Sequence, residues 1–252
     1  MYYNSKEVEK FSIQASDGEL GSVDDFYFDD ENWAVRYLVA DTSKWLPGRK
    51  VLLSPMAMKG LDNSEKHVVV NESKDKVKDS PDIDTAQPVS RRHEAELNQY
   101  WGWNYYWAGS GTWGPYAVPS QLALADSRVQ DGYENHERLE NEAGSEEETS
   151  LRSHNEITSY HIHAEDGEIG HISSFIFDDE SWEVKYFVID TRNWWPGKHV
   201  LIKPEWIRDI DFADSLVSVR LTKETIKSGP QYEEGDEITP ELEREVDKME
   251  AS

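Results

Sequence analysis

The chain has 252 residues, 37% of them apolar, and a formal net charge of −25. That is enough apolar material for two small cores, but the charge disfavours nucleic acids and anionic membrane surfaces, where affinity rests on cationic neutralisation. No stretch approaches the roughly 18 to 20 apolar residues of a membrane helix and Met1–Lys6 has no signal-like run, so a cytoplasmic chain without membrane insertion is expected; with no cysteine, disulfides and thiolate metal sites are excluded.

From the N-terminus, residues 11–15, 20–28, 34–40, 50–53 and 67–71 read as short strands, rich in β-branched and aromatic residues and bounded by polar turns. Asp17-Gly18 suits the positive φ angles of a two-residue hairpin. Asp29-Asp30-Glu31-Asn32 reads as a water-exposed loop between the second and third strands, and Pro47-Gly48 as the centre of a type II turn. Ser90 opens a helix through Arg91-Arg-His-Glu-Ala-Glu-Leu97. Beyond it, Tyr100 to Tyr116 holds eight aromatics in 17 residues and no Lys or Arg, and an acidic run follows from Asp131 to Glu148.

At Tyr160 the pattern begins again. Shifted by 149 residues, Phe11–Pro81 falls on Tyr160–Pro230 without a gap, about 29 of 71 positions being identical, among them Asp17-Gly18 with Asp166-Gly167, Gly21 with Gly170 and Pro47-Gly48 with Pro196-Gly197. A repeat this long is a small domain rather than a solenoid unit. The expected organisation is residues 5–81 and 155–230 as the two domains, 82–154 as a linker with the short helix, the aromatic segment and the acidic run, and 231–252 as an acidic tail. Thr239-Pro240 opens a helix in that tail, Thr239 pairing with Ser90 and Glu243 with Glu94 at the same offset. The acidic runs 131–148 and 233–250 are expected as solvated or disordered segments. Five or six strands in about 70 residues suggest a strongly bent sheet or a closed barrel, closure removing the free edges.

The run Asp-Gly-Glu-Leu-Gly-Ser-Val-Asp-Asp-Phe-Tyr-Phe-Asp-Asp at 17–30, the strand ending Val39-Ala-Asp41 and Val51-Leu-Leu-Ser-Pro55 resemble the PRC-barrel family. That family includes the cytoplasmic domain of the photosynthetic reaction centre H subunit and the C-terminal domain of the ribosome maturation factor RimM. The second copy repeats the motif in Asp166-Gly-Glu-Ile-Gly170, Phe177-Asp-Asp179, Asp190 and Val200-Leu-Ile-Lys-Pro204. The resemblance implies a mainly β protein of two tandem small PRC-type β-barrels, each followed by a short helix and joined by an aromatic and acidic linker. It further implies an assembly or interaction module without a shared catalytic site or cofactor, acting on a protein partner or as a homo-oligomer such as a dimer. An accessory role in a membrane electron-transfer or ribosome-assembly complex rests on the family analogy alone.

Tyr100, Trp101, Trp103, Tyr105, Tyr106, Trp107 and Trp113 admit two readings: packing onto a barrel, between barrels or across a dimer, and a partner-binding surface. A nucleic-acid stacking platform would want interleaved cations, which the segment lacks. Gly109-Ser-Gly-Thr-Trp-Gly114 has the form of a dinucleotide motif, but an aromatic loop precedes it and Pro115 follows. The second copy has His161, His163, His171 and His199 where the first has Ser12, Gln14, Ser22 and Lys50. His161 and His163, two apart on one strand face, are the weak candidates for a metal or small-molecule regulatory site. If Asp166-Gly167 is a two-residue turn, position 171 lies opposite Ile162 and faces away. Asp29-Asp30 and Asp178-Asp179 read as turn residues, weak calcium or magnesium binding being the alternative. Trp33, Trp45, Trp182 and Trp194 read as core or rim packing. No Ser/His/Asp, metalloprotease or phosphate-loop pattern is present, so enzymatic activity is not expected.

Overall fold

The computed structural model describes residues 1–43, 49–83, 88–125, 149–191 and 199–251. The Pro47-Gly48 and Pro196-Gly197 turns, Trp45, Trp194 and the acidic run 131–148 lie outside the described residues.

β1 (Tyr2–Asn4) and α1 (Ser5–Val8) open the chain. Six strands follow, β2 (Ser12–Ala15), β3 (Gly18–Asp29), β4 (Ala34–Asp41), β5 (Lys50–Leu53), β6 (Met58–Asp62) and β7 (His67–Val70), then α2 (Lys74–Lys78). Next come α3 (Arg91–Trp101), α4 (Pro119–Leu124), β8 (Leu151–Ser153) and α5 (His154–Ile157). The second series is β9 (His161–Ala164), β10 (Gly167–Asp178), β11 (Val184–Asp190), β12 (His199–Ile202), β13 (Ile207–Asp211), β14 (Leu216–Val219), α6 (Lys223–Ser228), β15 (Gln231–Tyr232) and α7 (Pro240–Asp247). Among the described residues no helix is long and apolar enough to cross a membrane.

The fold is mainly β, in two sheets of matching order. One runs β5-β4-β3-β2-β7-β6; the other runs β12-β11-β10-β9-β14-β13, with β15 beyond β12. β2 and β7 pair parallel, as do β9 and β14. The expected closure is not found: among the described residues no pairing joins β5 to β6 or β12 to β13. After β5 the chain enters a 3-10 turn, Pro55–Ala57, where Ser54 Oγ accepts from the Met56 N–H at 3.3 Å. That turn carries β6 to β7 instead of along the free edge of β5.

Bulges bend the long strands. β3 slips register against β4 between Val23 and Asp25 and between Tyr27 and Phe28, and β10 slips against β11 at the two equivalent places. The first sheet wraps a core that includes Ile13, Phe26, Phe28, Leu38, Val51 and Val68, each 0% exposed. Where β3 crosses the end of β4 there is no room for a side chain: a Cβ at Gly21 would stand 1.9 Å from Asp41 O, and Gly170 repeats this at 2.3 Å from Asp190 O. The hairpin turns are Ser16-Asp17 and Glu165-Asp166, one residue earlier than the sequence suggested, so Gly18 and Gly167 open the following strands. The freed carboxylates cap helices: Asp17 Oδ1 accepts from Lys74 N at 2.8 Å and Asp166 Oδ1 from Lys223 N at 2.7 Å.

By their contacts the residues form two units, a first of 9–152 and 179–183 and a second of 1–8, 153–178 and 184–252. β1 pairs antiparallel with β10, placing Tyr2, Tyr3 and Asn4 opposite Asp178, Phe177 and Ile176, whereas β8 pairs with β3. Each sheet thus takes a strand from the other half of the sequence. Of the second acidic run, Pro240–Asp247 is helical as Thr239-Pro240 suggests: Thr239 Oγ1 accepts from Leu242 N at 3.2 Å and Val246 is fully buried.

Gly21 and Gly60 share a φ of +146°, but only Gly21 is crowded, since a Cβ at Gly60 meets nothing within 4 Å. Gly21→Ala is therefore expected to cost about 2–4 kcal/mol and Gly60→Ala about 1 kcal/mol, measured by urea unfolding; equal costs would mean that backbone conformation, not the crossing, selects glycine.

Candidate functional site

β3 and β4 pair Tyr27 with Tyr37 and Phe28 with Val35, which leaves Arg36 as the extra residue of a bulge. A bulge lets consecutive side chains reach one side of a sheet, and Arg36 and Tyr37 meet the same outer layer. That layer begins with α3, started by Ser90, whose Oγ accepts from the His93 N–H at 3.2 Å, and ended by Gly102 in the left-handed conformation at φ +76°. Glu94, Asn98 and Trp101 recur at helical spacing and are all buried.

Glu94 Oε1 accepts hydrogen bonds from Tyr37 Oη at 3.1 Å and Tyr106 Oη at 2.8 Å, while Oε2 pairs with Arg91 Nη1 at 2.8 Å. The Arg91 guanidinium lies 4.3 Å over the Trp107 ring. Arg36 donates from Nη2 to Asp29 Oδ2 at 2.8 Å and from Nη1 to Thr112 O at 2.5 Å. Its guanidinium sits 4.0 Å from the Tyr106 ring centre and 4.7 Å from that of Trp113. Asp29 Oδ1 accepts from Glu31 N, Asn32 N and Ser150 Oγ at 2.9, 3.2 and 3.0 Å. The side chains of Asp29 and Arg36 are each 1% exposed, so Asp29 is a buried ion-pair partner and not a residue of a water-exposed loop. Its neighbour Asp30 does take a loop position but is held by Arg152 Nε at 2.7 Å.

Burial raises the Asp29 carboxyl, but the Arg36 guanidinium together with the hydrogen bonds from the Asn32 amide and the Glu31 N–H holds the group below the ordinary carboxylate range. Glu94 goes the other way. Burial pushes its carboxyl up to about 7, against the opposing pull of Arg91 and the phenols of Tyr106 and Tyr37.

A sequence model of the PRC-barrel domain matches residues 3–77. This segment is a PRC-barrel domain. No curated protein matches the chain. The matched PRC-barrel segment supplies Asp29, Arg36 and Tyr37, and the chain beyond it adds Arg91, Glu94, Tyr106, Thr112 and Trp113.

Around this PRC-barrel domain the aromatic candidates divide. Trp101, Tyr106 and Trp113 are 6%, 4% and 0% exposed and offer a partner no surface. The Trp113 indole N–H donates to Ser181 O at 2.7 Å. Tyr100, Trp103, Tyr105 and Trp107 are half-buried. Trp103 stacks on Trp101 with ring centres 5.2 Å apart, and Trp107 stacks on Tyr105 at 4.6 Å. Gly109 to Gly114 closes a tight turn through the Gly111 N–H to Gly114 O bond at 2.8 Å, the wrong local structure for a dinucleotide loop.

In the second unit, a bulge at Ile169 places Gly170 opposite Ile162 and brings His171 opposite His161, correcting the register read from the turn. His161, His171, Asp190 and His199 form one row across β9, β10, β11 and β12. His171 Nε2 and His199 Nε2 stand 3.9 and 3.7 Å from Asp190 Oδ2, and His161 Nδ1 stands 2.8 Å from Glu168 Oε1. His163 is exposed and pairs with Glu168 in the ladder. Among the described residues no group of three or more His, Asp or Glu side chains is placed to hold a metal.

Sequence reasoning passed over Arg36, Glu94, Ser150 and Arg152. A lone cation inside Val35-Arg-Tyr-Leu-Val-Ala40 was the available signal for Arg36, and the pairing of Glu94 with Glu243 was the signal for Glu94. In the second unit Glu243 accepts from Tyr2 Oη at 2.9 Å and also from Tyr186, so a carboxylate–phenol clasp recurs there.

Because Glu94 has its folded value raised, the stability it contributes is fully present below its unfolded value and is lost as pH rises through about 7. Urea unfolding of the wild-type chain should therefore weaken between pH 5 and pH 8 relative to Glu94→Gln, by a few kcal/mol; parallel pH profiles for the two would show that Glu94 does not titrate in this range.

Proposed function

We propose that this chain is a non-enzymatic tandem PRC-barrel scaffold of the cytoplasm that assembles with itself or with a protein partner. The tandem reading rests on the gapless 149-residue repeat and on the shared strand order of the two sheets. In this reading both units are rigid frames, and contact is made by the aromatic layer of the first unit. The observation behind it is the division of that layer into buried anchors, Trp101, Tyr106 and Trp113, and half-buried stacked rings, Trp103, Tyr105 and Trp107. Rings held by anchors beneath them lose little conformational freedom on binding, which is why Trp and Tyr dominate interface hot spots. Leu124, at the end of α4, is 88% exposed and adds apolar surface to the same unit. A net charge of −25 favours a partner with a basic contact face.

The test is a Trp103→Ser, Trp107→Ser double variant, compared with wild type by light scattering over a concentration series and by capture from native lysate. Loss of self-association or of a captured protein is expected, with the thermal midpoint within a few degrees of wild type. Retention of both complexes by a folded variant would remove the aromatic layer as the contact surface.

A further inference from the structure

Residues 1–8 run directly into the first strand series and residues 149–152 into the second, yet β1 completes the sheet containing β10 and β8 the sheet containing β3. The two arms are equivalent. Shifted by 149 residues, Tyr2–Asn4 becomes Leu151–Ser153 and Ser5–Val8 becomes His154–Ile157, strand for strand and helix for helix. Their contacts correspond too: Ser150 Oγ donates to Asp29 Oδ1 at 3.0 Å, and the Met1 ammonium lies 3.4 Å from Asp178 Oδ2, both partners shifted by the same offset. The PRC-barrel match begins at residue 3, so the first arm belongs by sequence to the domain whose sheet it does not complete.

We propose that residues 1–125 and 149–252 are mutually completing halves that hold together without the peptide connection through 126–148, and that each half accepts the complementary half of a second copy of this chain. The exchanged segments are deeply buried. Tyr3 is 6% exposed and stacks on Phe177 with ring centres 6.3 Å apart. Asn4 Nδ2 donates to Tyr232 Oη at 3.3 Å. Ser5 is fully buried, accepts from the Phe175 N–H at 3.1 Å and shares a 3.0 Å hydrogen bond with His154, its own counterpart in the repeat. In the other unit, the Asp30 N–H donates to Ser150 O at 2.9 Å and Arg152 pairs with Asp30. The second half also contributes residues 179–183 there, the Val35 N–H donating to Trp182 O at 2.8 Å. Withdrawing either half strips both units of backbone partners and apolar cover, a loss that the same segment from another copy restores in full. Within one chain the meeting of the halves is intramolecular, so the single chain closes on itself when dilute and exchanges with a second copy when concentrated.

A full-length chain with a specific protease site placed between residues 126 and 148 and cut after folding tests this. The cut protein is expected to elute and scatter light as one particle of the uncut mass at micromolar concentration. Mixed with a cut copy tagged on its first half, and warmed or unfolded and refolded together, it is expected to yield particles pairing a tagged first half with an untagged second half. Separation of the fragments overturns mutual completion, and an intact particle that never forms hybrids overturns acceptance of a second copy. Removing residues 1–8 from the cut chain should weaken the association at least tenfold. If that variant does not fold, Tyr3→Ala should speed fragment exchange severalfold. Unchanged association or exchange in the folded variants overturns the role of the arm.

Discussion

A guanidinium taken out of water has to be answered on every side, and much of the first unit can be read as the answer to Arg36. Its charge meets Asp29, its Nη1 donates to the Thr112 carbonyl, and its plane is covered by Tyr106 and Trp113. Breaking a buried pair on one side leaves an uncompensated charge, at a cost of about 3–5 kcal/mol. The pair is thus a weak source of net stability but a strict specifier of position. It fixes where the 106–113 loop lies and how Asp29 is oriented. Through Asp29 it also fixes where Ser150 docks.

The second unit shows what the same strand order does without this demand. Lys185 stands at the bulge where the first unit has Arg36, and it is half-buried. Lysine is a point charge on a flexible stem and lacks the planar fork that pairs with a carboxylate and stacks on rings. What both units keep is structural: the glycine crossing at 21 and 170, the aspartate caps at 17 and 166, and the carboxylate–phenol clasp of α3 and α7. Among the described residues the first unit differs in its buried cluster with half-buried rings, and the second in its histidine row.

The sequence reveals the repeat, most strands, both later helices and the family resemblance, because those rest on local signals such as apolar alternation, Ser and Thr caps and glycine at fixed offsets. Three things escaped it, each for a physical reason. The bulges at Arg36 and Ile169 shift register by one residue, and nothing in the strand pattern announces them; that is how His171 came to face His161. Asp29 sits in a polar run that reads as exposed, yet it is buried against Arg36 and accepts a hydrogen bond from Ser150, 121 residues away. The exchange of β1 and β8 is invisible to periodicity, since each arm is placed by pairing with a sheet from the other half of the chain.

The Arg36–Asp29 pair holds the aromatic segment in place. Hydrogen exchange of Arg36→Lys, which gives the first unit the residue of the second, tests it most directly. The account predicts lost protection at the Trp113 and Tyr116 amides, which bond each other's carbonyls at 3.1 Å, with the amides of β3 and β4 still slow to exchange. Unchanged protection at Trp113 and Tyr116 in a folded Arg36→Lys protein would contradict it.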